Sequence, residues 1–328
     1  MKIAVLTSGG DAPGMNAALR AVARAALARG WEVTGIEAGY QGLLEGRFHP
    51  LDNRGVGGIL HRGGTVLGTA RSSRFATPEG QQSAAERLRE AGVEGLVVIG
   101  GEGSLSGALR LEEQGIPVVG LPATIDNDVW GTEMSIGVDT ALNTALESID
   151  RIKDTASSHQ RAHVIEVMGR RCGYLALMSA IAGGAEAVLV PEFTPRPEKI
   201  MNAFERAWEQ GKPHFIVVVA EGSSPSAEEL HEYINTSGGG FDSRMTVLGH
   251  VQRGGNPTAH DRILASRLGA AAIKAFSEGE SGVMVGLSGG RMERVRLDEV
   301  VGRSRPLDED IHEIAEALAG FPEEISYW

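Results

Sequence analysis

The sequence is almost without cysteine, since Cys172 is the single example in 328 residues. One thiol cannot form an intramolecular disulfide, and it cannot build a metal site from several cysteines. No run approaches 18 consecutive apolar residues, so we expect no transmembrane helix. The N-terminal apolar run is too short for a signal peptide. These absences predict a protein without a membrane partner, located in the cytoplasm.

Lysine is also scarce: five of the 31 basic residues are lysine and the other 26 are arginine. Arginine is the better ligand for phosphate because its fork can donate two hydrogen bonds at once. A GC-rich genome or adaptation to heat would also explain the bias. The net charge of −12 argues against nucleic acid as a partner. A few arginines can nevertheless form a local positive pocket for a small anion.

Two common nucleotide-binding motifs are missing. The P-loop requires Gly-Lys-Ser or Gly-Lys-Thr, and no glycine loop of this chain contains lysine. The dinucleotide motif G-x-G-x-x-G is approached by Gly101, Gly103 and Gly107, but the second gap is one residue too long. A nicotinamide-dependent enzyme is therefore disfavoured.

Short apolar runs alternate with glycine loops and helical segments along the chain. The runs predict strands at 3–6, 32–36, 95–99, 117–121, 163–167, 186–190, 215–220 and 246–248. This alternation predicts an α/β fold with mainly parallel sheets covered by helices. We expect two doubly wound, Rossmann-like domains. Residues 1–137 plus about 249–300 would form the larger domain, and residues 138–248 plus about 301–328 the smaller one.

Glycine is abundant, at 45 of 328 residues, and it clusters in loops at 9–11, 63–65 and 100–104. Glycine lets backbone N–H groups approach a phosphate, and the N-terminus of a following helix attracts an anion. A single loop of this kind is commonly structural. Three in one chain favour phosphate binding.

Acidic side chains accompany these loops. Glu102 would repel bound phosphates unless a cation such as Mg²⁺ intervened; the alternative is an exposed acidic turn. Asp126 and Asp128 follow a predicted strand, and either could accept a hydroxyl proton during phosphoryl transfer. A solvated Asp-Asn-Asp turn is the alternative there. Arginines that could bind phosphate also lie near predicted strand ends, among them Arg71, Arg161, Arg170, Arg244 and Arg253.

Five ordered motifs make the sequence resemble the bacterial ATP-dependent 6-phosphofructokinases over nearly its whole length. They are LTSGGDAPGMNAA at 6–18, TIDND at 124–128, SSHQR at 157–161, EVMGR at 166–170 and VLGHVQRGG at 247–255. The resemblance implies a Mg²⁺-assisted enzyme of glycolysis that transfers the γ-phosphoryl group of ATP to the 1-hydroxyl of fructose 6-phosphate. It also implies that the larger domain binds ATP and the smaller one fructose 6-phosphate.

The resemblance assigns roles to individual residues. It implies that Asp126 is the general base and that Glu102 is the magnesium ligand. The implied catalytic group is Thr124, Asp126, Asp128, Arg170 and Arg71. The implied ATP contacts are Gly10, Arg71, Ser72, Gly101, Glu102, Gly103, Ser104 and Gly107. The implied fructose 6-phosphate contacts are Thr124, Ile125, Asp126, Arg161, Met168, Gly169, Arg170, Glu221, Arg244, His250, Val251, Gln252 and Arg253.

Two further features of the family bear on assembly and regulation. Arg161 and Arg244 reach the sugar-phosphate site from a neighbouring subunit in that family, which implies a homotetramer. The positions that match its site for an ADP or phosphoenolpyruvate effector are Arg20, Arg24, Lys153, Gly184, Glu186, Lys212 and His214. Three basic positions of that site are occupied here by Asn53, Gln210 and Pro213, so we expect weak effector binding.

The phosphoryl donor is the main open choice. Relatives that use pyrophosphate usually carry Asp at the position of Gly103 and Lys at that of Ala123, so both residues favour ATP. Glu102 departs from the aspartate that is usual in the loop, which lengthens the side chain by one methylene. A pyrophosphate-dependent phosphofructokinase remains the alternative. An NAD kinase is disfavoured by the sugar-phosphate motifs after Asp150, and a non-catalytic sugar-phosphate sensor by the presence of Asp126 and Arg170.

Overall fold

The computed structural model describes residues 1–159, 161–193, 197–209, 211–212, 214–236 and 242–318. The predicted effector-site positions Gln210 and Pro213 lie outside the described residues, as does Gln160 of the third motif. The elements in chain order are β1 (Lys2–Thr7), α1 (Met15–Leu27), β2 (Glu32–Ile36), α2 (Gly39–Glu45), β3 (Phe48–Pro50), α3 (Pro78–Glu90), β4 (Gly95–Gly100), α4 (Glu102–Glu113), β5 (Val118–Pro122), α5 (Val138–His159), β6 (Ala162–Val167), α6 (Tyr174–Gly183), β7 (Ala187–Leu189), α7 (Pro197–Glu209), β8 (Phe215–Ala220), α8 (Ala227–Thr236), β9 (Ser243–Val247), α9 (Ala259–Ser277), β10 (Val283–Ser288), β11 (Arg291–Arg296), α10 (Leu297–Val300) and α11 (Glu309–Leu318).

Contacts divide the chain into two compact units. The first unit comprises Met1–Thr140 and Arg253–Arg305, and the second comprises Ala141–Gln252 and Pro306–Trp328. The sequence predicts domain boundaries after residues 137, 248 and 300. The boundaries between the two units lie three to five residues later, after Thr140, Gln252 and Arg305.

The first unit contains a seven-stranded sheet in the order β11-β10-β5-β4-β1-β2-β3. Strands β10, β5, β4, β1 and β2 run parallel, while β11 and β3 pair antiparallel at the edges. The chain winds from β1 to β2 on one side and then returns to β4 on the other. Ligands of doubly wound sheets bind at such a reversal, beyond the carboxyl ends of the strands. The loops after β1, β4 and β5 therefore lie at the edge where a ligand is expected.

The second unit contains a four-stranded sheet in the order β7-β8-β6-β9, with all strands parallel. Its carboxyl edge carries the segments after β6, β8 and β9. Residues that precede these strands lie at the opposite, amino edge. The strand pairing in both units confirms the prediction of an α/β fold with mainly parallel sheets.

Continuous apolar runs form the central strands because both faces of these strands are covered. The side chains of Ile3–Leu6, Leu96–Ile99 and Ile216–Val219 are all fully buried. Helices α1 and α9 approach closely where a Cβ on Gly269 would lie 2.7 Å from Ala21 Cβ. In the described part of the chain, no helix is both long enough and apolar enough to cross a membrane.

Candidate active site

The loop after β1 brings backbone close to an arginine. Gly9 and Gly14 have φ angles of +85° and +112°, which side chains disfavour. A Cβ on the exposed Gly10 would lie 2.7 Å from Arg253 Nη1. The same Nη1 donates a hydrogen bond to the Asp11 carbonyl at 3.3 Å. This loop therefore presents bare backbone beside a guanidinium group.

The loop after β4 leads directly into α4. The residue before the helix, Gly101, offers no side-chain cap, so the first N–H groups of α4 can donate hydrogen bonds to an anion. A Cβ on Gly103 would meet no atom within 4 Å, so this side of the loop is open. Glu102 Oε1 accepts a hydrogen bond from Gly302 N at 3.4 Å. Ser104 is buried beside the first loop, with its Oγ 3.1 Å from the Cβ position of Gly9.

Two of the predicted ATP contacts, Gly107 and Ser72, belong to a packed cluster around Tyr40. A Cβ on Gly107 would lie 2.7 Å from the Tyr40 ring, and the Tyr40 hydroxyl donates to the Ser104 carbonyl at 2.6 Å. Ser72 Oγ donates to Gln41 at 2.7 Å and accepts from Phe75 N at 3.2 Å. The exposed Arg71 adjoins this cluster. Gly107 and Ser72 thus have structural partners of their own.

The segment after β5 carries the candidate base. Thr124 Oγ1 accepts a hydrogen bond from Asp126 N at 3.2 Å, and Asn127 adopts a φ of +54°. Asp126 is only 2% exposed, and its Oδ1 lies 3.8 Å from Arg253 Nη2. Ile125 is fully buried, so its side chain faces the core. Asp128, whose carbonyl accepts from Arg305 N at 2.9 Å, is half-buried.

Asp261 supports this segment, and sequence reasoning missed it. Its fully buried carboxylate accepts from Gly137 N at 2.8 Å, from Thr140 N at 2.9 Å and from Thr140 Oγ1 at 2.6 Å. Burial raises the pKa of Asp261, and these hydrogen bonds oppose the shift. The adjoining Ile136 accepts a backbone bond from Thr124 N at 3.1 Å. In the sequence, Asp261 is recognisable only as an acidic residue in the first turn of a helix, and such residues are usually exposed caps.

The second unit presents a tight turn after β6. Gly169 and Arg170 have φ angles of +150° and +54°, and Arg170 N donates to Glu221 Oε1 at 2.7 Å. A Cβ on Gly222 would collide with the Arg170 carbonyl, so only glycine fits there. Met168 is buried, whereas the Arg170 side chain is exposed. Burial, followed by repulsion from Glu221, raises the pKa of Glu166 in the adjoining strand.

The segment after β9 forms a single 3₁₀ turn, Gly249–Arg253. His250 is exposed, as is Val251. Gln252 is fully buried, and its Nε2 donates to the Gly249 carbonyl at 3.1 Å. The Gln252 amide therefore stabilises the turn from within, instead of facing solvent as a ligand contact would.

Two predicted substrate arginines lie at the amino edge of the second sheet. Arg161 precedes β6, and Arg244 is the second residue of β9, opposite His163. At about 3.3 Å per residue, the length of β6 separates Arg161 from Met168 by roughly 20 Å. Both arginines pair with Asp242, at 2.9 Å from Arg161 Nε and 2.5 Å from Arg244 Nη1. Burial, and then these two cations, lower the pKa of His163. The structure does not bring them to the 168–170 turn of their own chain.

The predicted effector residues of the second unit lie together. Lys153 Nζ donates to the carbonyls of Gly183 at 2.7 Å and Gly184 at 3.4 Å. Glu186 Oε1 lies 3.7 Å from Lys212 Nζ and 3.9 Å from His214 Nε2. Burial lowers the pKa of His214, against the pull of Glu186. The other two predicted effector residues, Arg20 and Arg24, lie on α1 in the first unit.

The donor set suits Mg²⁺ only together with a phosphorylated ligand. In the residues that the structure describes, no three His, Cys, Asp or Glu side chains converge on a common point. Magnesium is commonly held by one or two carboxylates plus phosphate oxygens and water. Glu102, beside an uncapped helix start and the open side of Gly103, fits this arrangement.

These loops are those of an α/β protein that binds an anionic ligand at its strand ends. The family model described as "Phosphofructokinase" matches residues 2–276. An ATP-dependent 6-phosphofructokinase of Natranaerobius thermophilus is 52% identical over 97% of this chain and 99% of its own length. ATP-dependent 6-phosphofructokinase 1 of Thermus thermophilus gives the same three figures. The chain belongs to the phosphofructokinase family.

Solved structures agree with this assignment. Phosphofructokinase from Saccharomyces cerevisiae matches with a TM-score of 0.86 and 38% identity over 97% of this chain. This chain spans about half of the yeast chain, since it covers 47% of it. A pyrophosphate-dependent phosphofructokinase from Nitrosospira multiformis has a TM-score of 0.85, 19% identity, and coverage of 94% of this chain and 86% of its own. That likeness shows a common fold.

Proposed function

We propose that this protein is an ATP-dependent 6-phosphofructokinase of the cytoplasm. It would convert ATP and fructose 6-phosphate into ADP and fructose 1,6-bisphosphate. The observation that carries the proposal is the edge of the first sheet, where the uncapped start of α4 follows β4 and the buried Asp126, 3.8 Å from Arg253, follows the neighbouring β5. Relatives of that name, 52% identical over almost their whole length, support it.

The predicted nucleotide contacts all belong to the first unit. The N–H groups at the start of α4 and the bare backbone at Gly10 would bind the phosphates of ATP, with Arg71 as a cation. Gly103 leaves the space that those phosphates need. Glu102 would hold Mg²⁺, which neutralises charge on the transferred group when bound.

Asp126 would act as the general base. Its carboxylate would accept the proton of the 1-hydroxyl while that oxygen attacks the γ-phosphorus. The bond from the γ-phosphorus to the bridging oxygen then breaks, and ADP leaves with the electron pair. Thr124 fixes the base through the hydrogen bond from Asp126 N. The resemblance further implies that Asp128 and Arg170 contact the transferred phosphoryl.

Donor choice tests the proposal. In a coupled assay with fructose 6-phosphate and Mg²⁺, ATP should support turnover, while pyrophosphate should give less than about a hundredth of that rate. The reason is the open side of Gly103, together with the absence of a lysine at Ala123 to bind a smaller donor. Equal or faster turnover with pyrophosphate would contradict the ATP assignment. Turnover with neither donor would favour the non-catalytic alternative.

We further propose a homotetramer in which Arg161 and Arg244 serve the site of an adjoining subunit. Their location at the amino edge, remote from the 168–170 turn of their own chain, supports this. Asp242 would then be a local counter-ion that the substrate 6-phosphate replaces.

The activity of hybrid tetramers made from two inactive variants tests whether Arg244 serves an adjoining subunit. Arg244→Ala and Asp126→Ala proteins should each be nearly inactive, and subunit exchange between them should restore part of the activity. Some sites in the hybrids would combine one intact base with one intact arginine. Mixing each variant with itself is the control. Hybrids that form, as shown by native mass spectrometry, but stay inactive would place Arg244 in the site of its own chain.

Effector binding should be weak. Lys153 is already engaged by the carbonyls of Gly183 and Gly184, and Lys212 by Glu186. Fewer free cations leave less to attract ADP or phosphoenolpyruvate, and a loss of about 1.4 kcal/mol lowers affinity about tenfold. We expect calorimetry to give no low-micromolar binding of either compound, and a low-micromolar Kd would contradict this prediction.

A further inference from the structure

The turn between β6 and α6 is held at both ends by carboxylates. At its start, Glu221 Oε1 accepts from Arg170 N at 2.7 Å. At its end, Glu192 accepts from Gly173 N, at 2.9 Å through Oε1 and 3.1 Å through Oε2. Glu221 follows β8 and Glu192 follows β7, so both acids belong to the carboxyl edge of the same sheet. We call the 168–173 segment with these two acids the carboxylate clamp.

Gly173 allows the second contact. A Cβ there would collide with Val190 Cβ and lie 2.7 Å from Glu192 Oε2, so a larger residue would push the carboxylate away. Gly173 precedes α6 and gives that helix no side-chain cap. Glu192, 19 residues later in the chain, supplies the acceptor instead. A carboxylate at a helix N-terminus is also favoured by the helix dipole.

Cys172 joins the same contact. Its buried thiol forms a hydrogen bond with the Glu192 carboxylate, and its backbone N donates to the Gly169 carbonyl at 2.9 Å. Glu192 is exposed as a residue, but partial burial of its carboxylate raises its pKa, and the bonds from Gly173 and Cys172 oppose that shift. Because Cys172 is the only cysteine in the sequence, the rate at which its thiol reacts measures how often this turn opens.

The carboxylate clamp encloses a residue with an unfavourable backbone conformation. Arg170 adopts a left-handed backbone conformation, which costs energy for any residue other than glycine. Such a conformation persists only where surrounding contacts fix it. Glu221 binds the N–H of Arg170 itself, while Glu192 fixes the far end of the turn.

We propose that Glu192 is a positioning residue for fructose 6-phosphate, which holds the 168–173 turn, and with it Arg170, through Gly173 and Cys172. The inference rests on the proposed function for the identity of the substrate. The contacts through which Glu192 stabilises the turn do not depend on the proposed function, and their effect can be measured without substrate.

The test compares three Glu192 variants with one control. Glu192→Ala removes the acceptor, Glu192→Asp withdraws it by one methylene, and Glu192→Gln keeps one acceptor oxygen at full reach. Glu112→Ala is the control, because it removes a carboxylate that accepts from Val118 N at 2.7 Å in the first unit. Three quantities are measured: the rate at which iodoacetamide alkylates Cys172 without substrate, the steady-state constants, and the unfolding temperature.

For Glu192→Ala we expect alkylation at least about tenfold faster than in the wild type, because local opening exposes the thiol. The KM for fructose 6-phosphate should rise at least about tenfold, and kcat should fall, because Arg170 is also proposed to contact the transferred phosphoryl, whereas the KM for ATP should stay within about threefold of the wild type. Glu192→Gln should recover most of these changes. Glu192→Asp should shift the same quantities in the direction of the alanine variant, and it preserves the test if that variant does not fold. The control should leave alkylation unchanged.

Unchanged alkylation in Glu192→Ala and Glu192→Asp would refute the clamp. Faster alkylation with an unchanged KM for fructose 6-phosphate would refute the positioning role. Equal changes in all kinetic constants and in unfolding temperature, without recovery by Glu192→Gln, would show a purely structural residue and also overturn the proposal. A wild-type protein without turnover would refute the proposed function, while the alkylation rates would still decide whether Glu192 holds the turn.

Discussion

Asp126→Asn should lower kcat by about 10²–10⁴-fold, the usual contribution of a general base. The amide keeps the shape of the carboxylate, and Asp126 N can still donate to Thr124 Oγ1, so the segment should keep its conformation. What the variant loses is the ability to accept the proton of the attacking hydroxyl. The KM for fructose 6-phosphate should therefore stay within about threefold of the wild-type value.

The control for this variant is Asp298→Asn, which changes an exposed carboxylate paired with Arg296 at 2.7 Å. Its steady-state constants should match the wild type. Unfolding temperatures equal to that of the wild type in both variants would show that Asp126→Asn loses kcat because it lacks the proton acceptor, and not because it is less stable. If Asp126→Asn keeps more than about a tenth of the wild-type kcat, another residue is the base.

Gly103→Asp should lower kcat/KM for ATP by about 10²-fold. The new side chain has room, since a Cβ at Gly103 meets no atom within 4 Å, so the variant should fold. Its charge would stand beside Glu102 at the start of α4, where the phosphates of ATP are proposed to bind, and would repel them. Loss of a charged contact costs about 1.5–3 kcal/mol, which corresponds to roughly 10–150-fold.

Gly103→Ala separates charge from bulk in this experiment, because it adds only the Cβ and should retain most of the ATP activity. A carboxylate in the first turn of α4 should not lower the unfolding temperature, since the helix dipole favours it there. Retention of more than about a third of kcat/KM by Gly103→Asp would place the ATP phosphates elsewhere.

Much of the architecture could be predicted because its signals are local. Apolar runs such as Phe215–Ala220 and the glycine loops that follow strands are visible within a few residues of sequence. Three strands were missed. Two lack that signal: β3 has three residues, and β11 is a mostly charged edge strand, Arg291–Arg296. The third, β10 (Val283–Ser288), is a largely buried apolar strand whose signal was present in the sequence.

Residues of the candidate site were likewise predictable only where the sequence signal is local. Loop glycines and the acids beside them could be chosen as candidates because composition and spacing mark them. The supporting contacts of Asp261 and Glu192 could not, since their partners lie 124 and 19 residues away and only the fold brings them together. Gln252 and Gly107 matched family positions, but no sequence pattern indicates that one is buried and that the other packs on Tyr40.

The location of Arg161 and Arg244 at the amino edge of their sheet also bears on how activity should vary with the amount of protein. If each site borrows these two cations from an adjoining subunit, a lone chain has a base but lacks both of them as counter-charges for the 6-phosphate. Specific activity would then fall on dilution through the dissociation constant of the assembly, and fructose 6-phosphate, which bridges two chains, would counteract that fall. Substrate would in this way act as an assembly factor for the enzyme that consumes it.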